Sequence, residues 1–321
     1  MNKRLNNILV DKIFKNIPSK INLVDYLSNA LGLSKMSIYR RIRNEIDFSF
    51  EEIFKLSQEL DFSIDEIFQS MRSKHAAFEL QAKSGSTPKE TYLTMLEQHK
   101  SLAKKQYNAK DTGSIAAMNR PLTVFITEFS DLFRFTYYKW IHQMHEVPID
   151  FYFHEVSIPS EIKKACTDIR EYTPHLGNNV FIIDPNVFYN FMMDILYYYN
   201  RKLISSEEFT QLKTELTELI SMTQKLIARG YNKTNSKYDF YLSKLPIESN
   251  SSYTWYDDTS ESYFYTSHAN PIGISEKEAC LTHKRWLESI KKYSSLITQS
   301  NEETQSDFFK KQYQYLNEIF K

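Results

Sequence analysis

Residues 22–44 read Asn-Leu-Val-Asp-Tyr-Leu-Ser-Asn-Ala-Leu-Gly-Leu-Ser-Lys-Met-Ser-Ile-Tyr-Arg-Arg-Ile-Arg-Asn. Leu23, Tyr26, Leu27, Ala30 and Leu31 recur at the spacing of a single helical face. Gly32 can take the left-handed backbone that stops such a helix in a tight turn. Leu33 then points back into the angle between two helices, and Ser34 is placed to cap the second on an N–H near Ser37. In that second helix Ile38 and Ile42 face inward, which leaves Lys35, Met36, Ser37, Tyr39, Arg40, Arg41 and Arg43 on the other faces. Between Ser34 and Asn44 there are four cationic side chains and no carboxylate. A surface that avoids negative charge over three turns suits a phosphate-lined groove, where each Lys or Arg contact also releases a counterion. The stretch predicts a helix-turn-helix with residues 35–43 as its recognition helix.

The flanks extend the pattern. Ser49-Phe50-Glu51-Glu52 and Ser63-Ile64-Asp65-Glu66 both fit the Ser-x-x-Glu capping box, so each predicts a helix start. Ile53, Phe54, Leu56, Ser57 and Leu60 form a core-facing stripe between them. With a first helix near residues 5–14, five short helices are expected within about 70 residues, in keeping with the usual length of globular helices. Residues 1–74 hold 12 Lys/Arg against 10 Asp/Glu, so the positive charge is concentrated on one helix and does not coat the segment. That distribution favours a sequence-specific reader over an indiscriminate nucleic-acid coat.

The order helix, helix-Gly-turn-helix, then residues 48–60 and 62–67, resembles the Xre and lambda-repressor class of helix-turn-helix domains. Within it, Leu23-Val24-Asp25-Tyr26-Leu27 followed by Ser37-Ile38-Tyr39-Arg40-Arg41-Ile42-Arg43 is similar to the BetR-type N-terminal domains of Bacteroidetes regulators. The match spans roughly residues 20–68, about 15% of the chain. The resemblance implies base-edge contacts from Lys35, Met36 and Arg40, and a small residue where the helices approach, which is Ser28. Met36 stands where the family carries Gln or Arg and offers apolar contact, as to a thymine methyl. DNA-backbone contacts are expected from Ser34, Ser37, Arg41, Arg43 and Asn44. Some segments beyond the N-terminal domain, such as 134–140 and 295–302, also look like the C-terminal region that accompanies such domains, with no activity implied.

The 321 residues suggest two domains, and 41% hydrophobic content suffices for a core. Net charge is zero, so the whole chain carries no bias toward a polyanion. Two cysteines, Cys166 and Cys280, stand far apart and make neither a disulfide framework nor a structural zinc site. There is no signal-like apolar start and no long uninterrupted apolar run. The expectation is a cytoplasmic protein with no membrane contact.

A small polar stretch, residues 81–86, precedes Thr87-Pro88-Lys89-Glu90, a capping box with proline at the first helical position. The expected domains are 1–74 for DNA binding, 75–87 as linker, and 88–321 for dimerisation and sensing. In the second domain helices are expected at residues 88–110, 125–144, 159–170, 184–199, 205–229, 275–293 and 301–320. Strands are expected at 150–156, at 239–245, 252–256 and 263–267, which together suggest a small antiparallel sheet, and at 294–298 as a buried strand. The expected fold class is therefore mainly α: a five-helix helix-turn-helix domain plus a larger helical α+β domain.

Sites for chemistry are sparse. His142 and His145 share a helix face, and His154 and His175 could add ligands, but no carboxylate accompanies them at metal-site spacing. Asp257, Asp258 and Glu261 read as a solvated turn, and the aromatic groups 197–199 and 253–256 as core. No glycine-rich phosphate loop or nucleophile elbow occurs. Neither a catalytic residue, a metal site nor a cofactor is expected. The functional expectation is a transcription regulator that binds double-stranded DNA as a homodimer, its C-terminal domain also taking a small-molecule or protein effector. The alternative is a protein-interaction module built on the helix-turn-helix, with the C-terminal domain as the working part.

Overall fold

The structure, a computed structural model, describes residues 5–17, 22–60, 62, 64, 79–80, 87–173, 177–265 and 271–321. The chain divides into two compact units, Met1–Ala77 and Phe78–Lys321.

In the first unit the described residues form α1 (Leu5–Asn16), α2 (Leu23–Leu31), α3 (Lys35–Ile42) and α4 (Phe50–Glu59). Leu9 and Ile13 of α1, Leu27 of α2, Ile38 of α3 and Leu56 of α4 are almost wholly buried in one cluster, closed by Phe48 and Phe62. The expected five-helix domain is thereby corrected to four described helices. The fifth helix was expected from the Ser63 capping box, and Ser63, Asp65 and Glu66 lie outside the described residues.

The second unit corrects the fold class further. Its sheet has eight strands and is mixed, where a small antiparallel one was expected. The strands are β1 (Glu79–Leu80), β2 (Thr112–Met118), β3 (Asn178–Ile183), β4 (Lys237–Ser243), β5 (Ser251–Tyr256), β6 (Thr259–Tyr265), β7 (Pro271–Ile274) and β8 (Ser294–Leu296). Their spatial order is β1-β7-β6-β5-β2-β3-β4-β8. The central strands β2, β3 and β4 are parallel, and every other pairing is antiparallel. Parallel neighbours need long crossovers, and the helices between them supply these. Glu79 and Leu80, within the stretch expected to be linker, pair with Gly273 and Ile272.

Alternation along the central strand distributes the core. Ala116 and Met118 face a large aromatic cluster, while Ile115 and Ala117 face a second, smaller one. The large cluster is covered by α5 (Pro88–Asn108), α6 (Thr123–Ile126), α7 (Ser130–Met144), α8 (Ser160–Tyr172), α9 (Val187–Asn200), α10 (Ser206–Arg229) and α12 (Glu302–Ile319). The smaller is covered by α11 (Lys277–Lys292) through Cys280 and Leu287. The expected long helix at 125–144 is split between α6 and α7. The strand expected at 150–156 is instead irregular, with a single 3-10 turn at Phe153–Glu155.

Beneath α11, His283 is 5% exposed. Its Nε2 lies 3.2 Å from Ser251 Oγ, while Nδ1 has no hydrogen-bond partner. Phe264 and Trp286 lie beside the ring. Burial pushes the imidazole down to about 4 from its ordinary 6.5, because a charged ring there is poorly solvated. The unfolded chain therefore takes up this proton first as pH falls, so stability is full above pH 6.5 and declines from there toward pH 4. At 1.36 kcal/mol per tenfold the loss is about 3 kcal/mol. Denaturant melts of the wild type at pH 7 and pH 4.5 should show it, and His283→Gln should remove that part of the difference.

Candidate nucleic-acid interface

Asn22 caps α2 by accepting the N–H groups of Val24 and Asp25. The helix ends at Gly32, whose φ of 68° and ψ of 30° are left-handed. A Cβ there would meet nothing within 4 Å, so the glycine is required for its backbone angle and not for space. Ser28, the small residue at the approach, donates its hydroxyl to the Leu33 carbonyl and ties the turn to the helix. Ser34 caps α3, its Oγ accepting from Ser37 N at 3.3 Å.

At about 100° per residue the side chains of α3 sort into sectors. Ile38 is fully buried and Ile42 packs against the same cluster. Lys35, Tyr39, Arg43, Met36 and Arg40 occupy one continuous outward arc of roughly 140° on that helical wheel. Met36 is 71% exposed and Tyr39 44%. All three expected base readers, Lys35, Met36 and Arg40, thus share one face. Tyr39 joins them: sequence reasoning left it out of the site, although its place four residues after Lys35 is the signal that puts it there.

The expected backbone contacts divide. Arg43 lies on the arc, its guanidinium 5.7 Å from the centre of the Tyr39 ring. Ser34 is exposed at the N-terminus of α3. Arg41, by contrast, turns away from the arc. Its Nε and Nη2 grip Glu52 at 2.9 and 2.8 Å, its Nη1 donates to Ser37 Oγ at 2.7 Å, and its side chain is 12% exposed. Glu52 also accepts from Ser49 N as the capping-box residue of α4, so Arg41 and Ser37 serve to lock α3 onto α4. Asn44, at a positive φ of 60°, is occupied as well: it accepts from Asn6 and donates to Asn7, both on α1. Arg41, Ser37 and Asn44 therefore hold α3 in place and are not available to phosphates.

Two arc cations also have carboxylate neighbours. Lys35 Nζ is 2.5 Å from Asp25 Oδ1, and Arg40 Nε is 3.5 Å from Glu45 Oε2. The Asp25 hydrogen bond and charge raise the Lys35 pKa. Both pairs are half exposed, where such contacts exchange readily with solvent and salt.

In the second unit the ends of the parallel strands are closed. In open α/β sheets ligands sit outside the carboxyl ends of the parallel strands. Here residues 244–250 lie across those ends: Asp184 Oδ2 accepts from Ile247 N, Asn119 Nδ2 donates to Glu248 O, and Asn250 Oδ1 accepts from Asn119 N and Arg120 N. A cavity of about 50 Å³ is lined by Tyr92, Met95, Leu96, His99, Val124 and Ile169, well below the several hundred Å³ of a ligand site. His142 contacts the Phe151 carbonyl, His145 abuts Trp140 and His154 stacks on Tyr152. His175 lies outside the described residues. Among the described residues no group of three His, Cys, Asp or Glu could hold a metal ion, and no helix is long and apolar enough to cross a membrane. Asp257 accepts from the backbone N–H groups of Lys110 and Asp111, and Glu261 accepts from the hydroxyls of Tyr256 and Tyr263.

Comparison with known proteins brings no counterpart: neither a protein-family profile, a curated protein nor a solved structure matches this chain.

Proposed function

We propose that the chain is a sequence-specific DNA-binding transcription regulator that reads the major groove with α3. The observation that carries this reading is the outward arc of Lys35, Met36, Tyr39, Arg40 and Arg43. It stands on a capped helix braced by Arg41–Glu52, behind a left-handed glycine turn. Cations and apolar side chains interleaved on one convex helical face match a groove that presents both phosphates and base edges. A single reader of this size covers one half-site, so the regulator acts as a homodimer on a palindrome, with the second unit supplying dimerisation and the response to an effector.

Arg40→Ala should cost about 1 to 3 kcal/mol on the operator and relax preference at one base pair, and Arg43→Ala should weaken all sequences alike and lower the salt slope by about 1. Titration of both variants against matched and mismatched duplexes checks this. Equal losses on every sequence would remove Arg40 from the base-reading set.

A second reading has its own observation. Phe50 and Phe54, one turn apart on α4, are 69% and 53% exposed, which suits a protein-docking surface. Salt separates the two readings, since DNA binding through phosphates weakens steeply with ionic strength and apolar docking does not.

A further inference from the structure

The reading arc is bracketed by negative charge. On the wheel of α3, Lys35 stands at one edge of the arc and Arg40 at the other, and each is paired with a carboxylate from outside the helix. Asp25 comes from the first turn of α2, and Glu45 from the turn after α3, where its N–H is fixed on the Arg40 carbonyl at 2.8 Å. Among the described residues, Arg43 at mid-arc has an aromatic ring beside it and no ion pair. These pairs are unlike Arg41–Glu52, in which both side chains are mostly buried and the contact is bidentate. The side chains of Lys35, Asp25, Arg40 and Glu45 are 66%, 46%, 52% and 49% exposed, so these pairs add little to the fold.

What they do affect is binding to a polyanion. A phosphate that takes Lys35 or Arg40 competes with a carboxylate already beside that cation, and the carboxylate then remains near the phosphate as a like charge. Non-specific DNA affinity is almost entirely phosphate electrostatics, whereas base-edge contacts add to it only on the right sequence. Resting on the reading of α3 as a DNA face, we propose that Asp25 and Glu45 are built-in phosphate competitors that suppress binding to arbitrary DNA and thereby set the specificity of the reader. Each pair holds back one base-reading cation, Asp25 at Lys35 and Glu45 at Arg40, until a base edge outcompetes the carboxylate.

The test compares the full chain with Asp25→Asn/Glu45→Gln on a random-sequence 30-base-pair duplex at 0.1 M and 0.3 M salt. The double variant should bind at least tenfold tighter at 0.1 M. Its salt slope should steepen toward that of two added phosphate contacts, roughly −0.9 each, and the gain should shrink at 0.3 M. Asp25→Glu/Glu45→Asp keeps the charges and should behave as the wild type, which separates charge from any loss of fold. If the wild type binds the duplex and the neutral variant binds no tighter, the competitor role is overturned while the DNA reading stands. If neither chain binds this duplex or any other at low salt, both fall together.

Discussion

Gly113→Ala should destabilise the second unit by about 3 kcal/mol, the upper range for forcing atoms into a filled core. Gly113 lies in β2, between Asn178 of β3 and Trp255 of β5. A Cβ there would come within 2.3 Å of Trp255 Cζ2 and 2.4 Å of the Asn178 carbonyl oxygen. The indole could be displaced, but its Nε1 reaches Asp111 and Lys284 sits over its ring, and the carbonyl belongs to the neighbouring parallel strand. Both walls resist, so the added methyl must spread the centre of the sheet. Thermal melts should place Gly113→Ala well below wild type, and Gly113→Ala/Trp255→Leu should recover part of the loss. A wild-type melt for the single variant would show that the sheet is not packed over this glycine.

Glu52→Gln should cost the first unit about 3 kcal/mol, the lower end for breaking a buried pair. The substitution leaves the Arg41 guanidinium 12% exposed with its counter-charge gone, and weakens the box that starts α4. In a unit with so small a core this is a large share of its stability. DNA binding should fall with folding, and at a temperature where the variant is still folded its sequence preference should match wild type. Arg41→Gln should behave likewise, whereas a phosphate-contacting Arg41 would instead give a reduced salt slope with an unchanged melt. Urea melts with titrations at two salt concentrations distinguish these outcomes.

How far these features were legible in the sequence follows from whether the signal is local. Caps and turns are written within four residues, and Gly32, Ser34, Ser49 and Thr87 all do in the structure what their positions predict. The long helix starting after Ser205 is equally plain. The parallel centre of the sheet is not. β2 reads Thr-Gly-Ser-Ile-Ala-Ala-Met, in which Gly, Ser and two Ala outnumber the strand formers Thr and Ile, and it is a strand because both its faces are covered. β3 carries a short apolar run next to a helix, which periodicity cannot separate from helix. Within the first unit, the outward arc follows from helical periodicity, but the partners of its cations do not. Arg41 looks like its neighbours until Glu52, eleven residues on, is seen to grip it. Asp25 and Glu45 are likewise unremarkable in the sequence and become informative only once the turns bring them to Lys35 and Arg40.

The most direct measurement is selection of duplexes from a random pool by the full chain, run beside Arg40→Ala/Arg43→Ala. Both substitutions fall on the exposed arc and spare the Arg41–Glu52 brace, so the variant should fold as the wild type does. A palindromic motif with half-sites about one helical turn apart should be enriched by the wild type and lost in the double variant. Absence of any enriched sequence with the wild type, under salt low enough to favour binding, would contradict the reading of α3 as a DNA face.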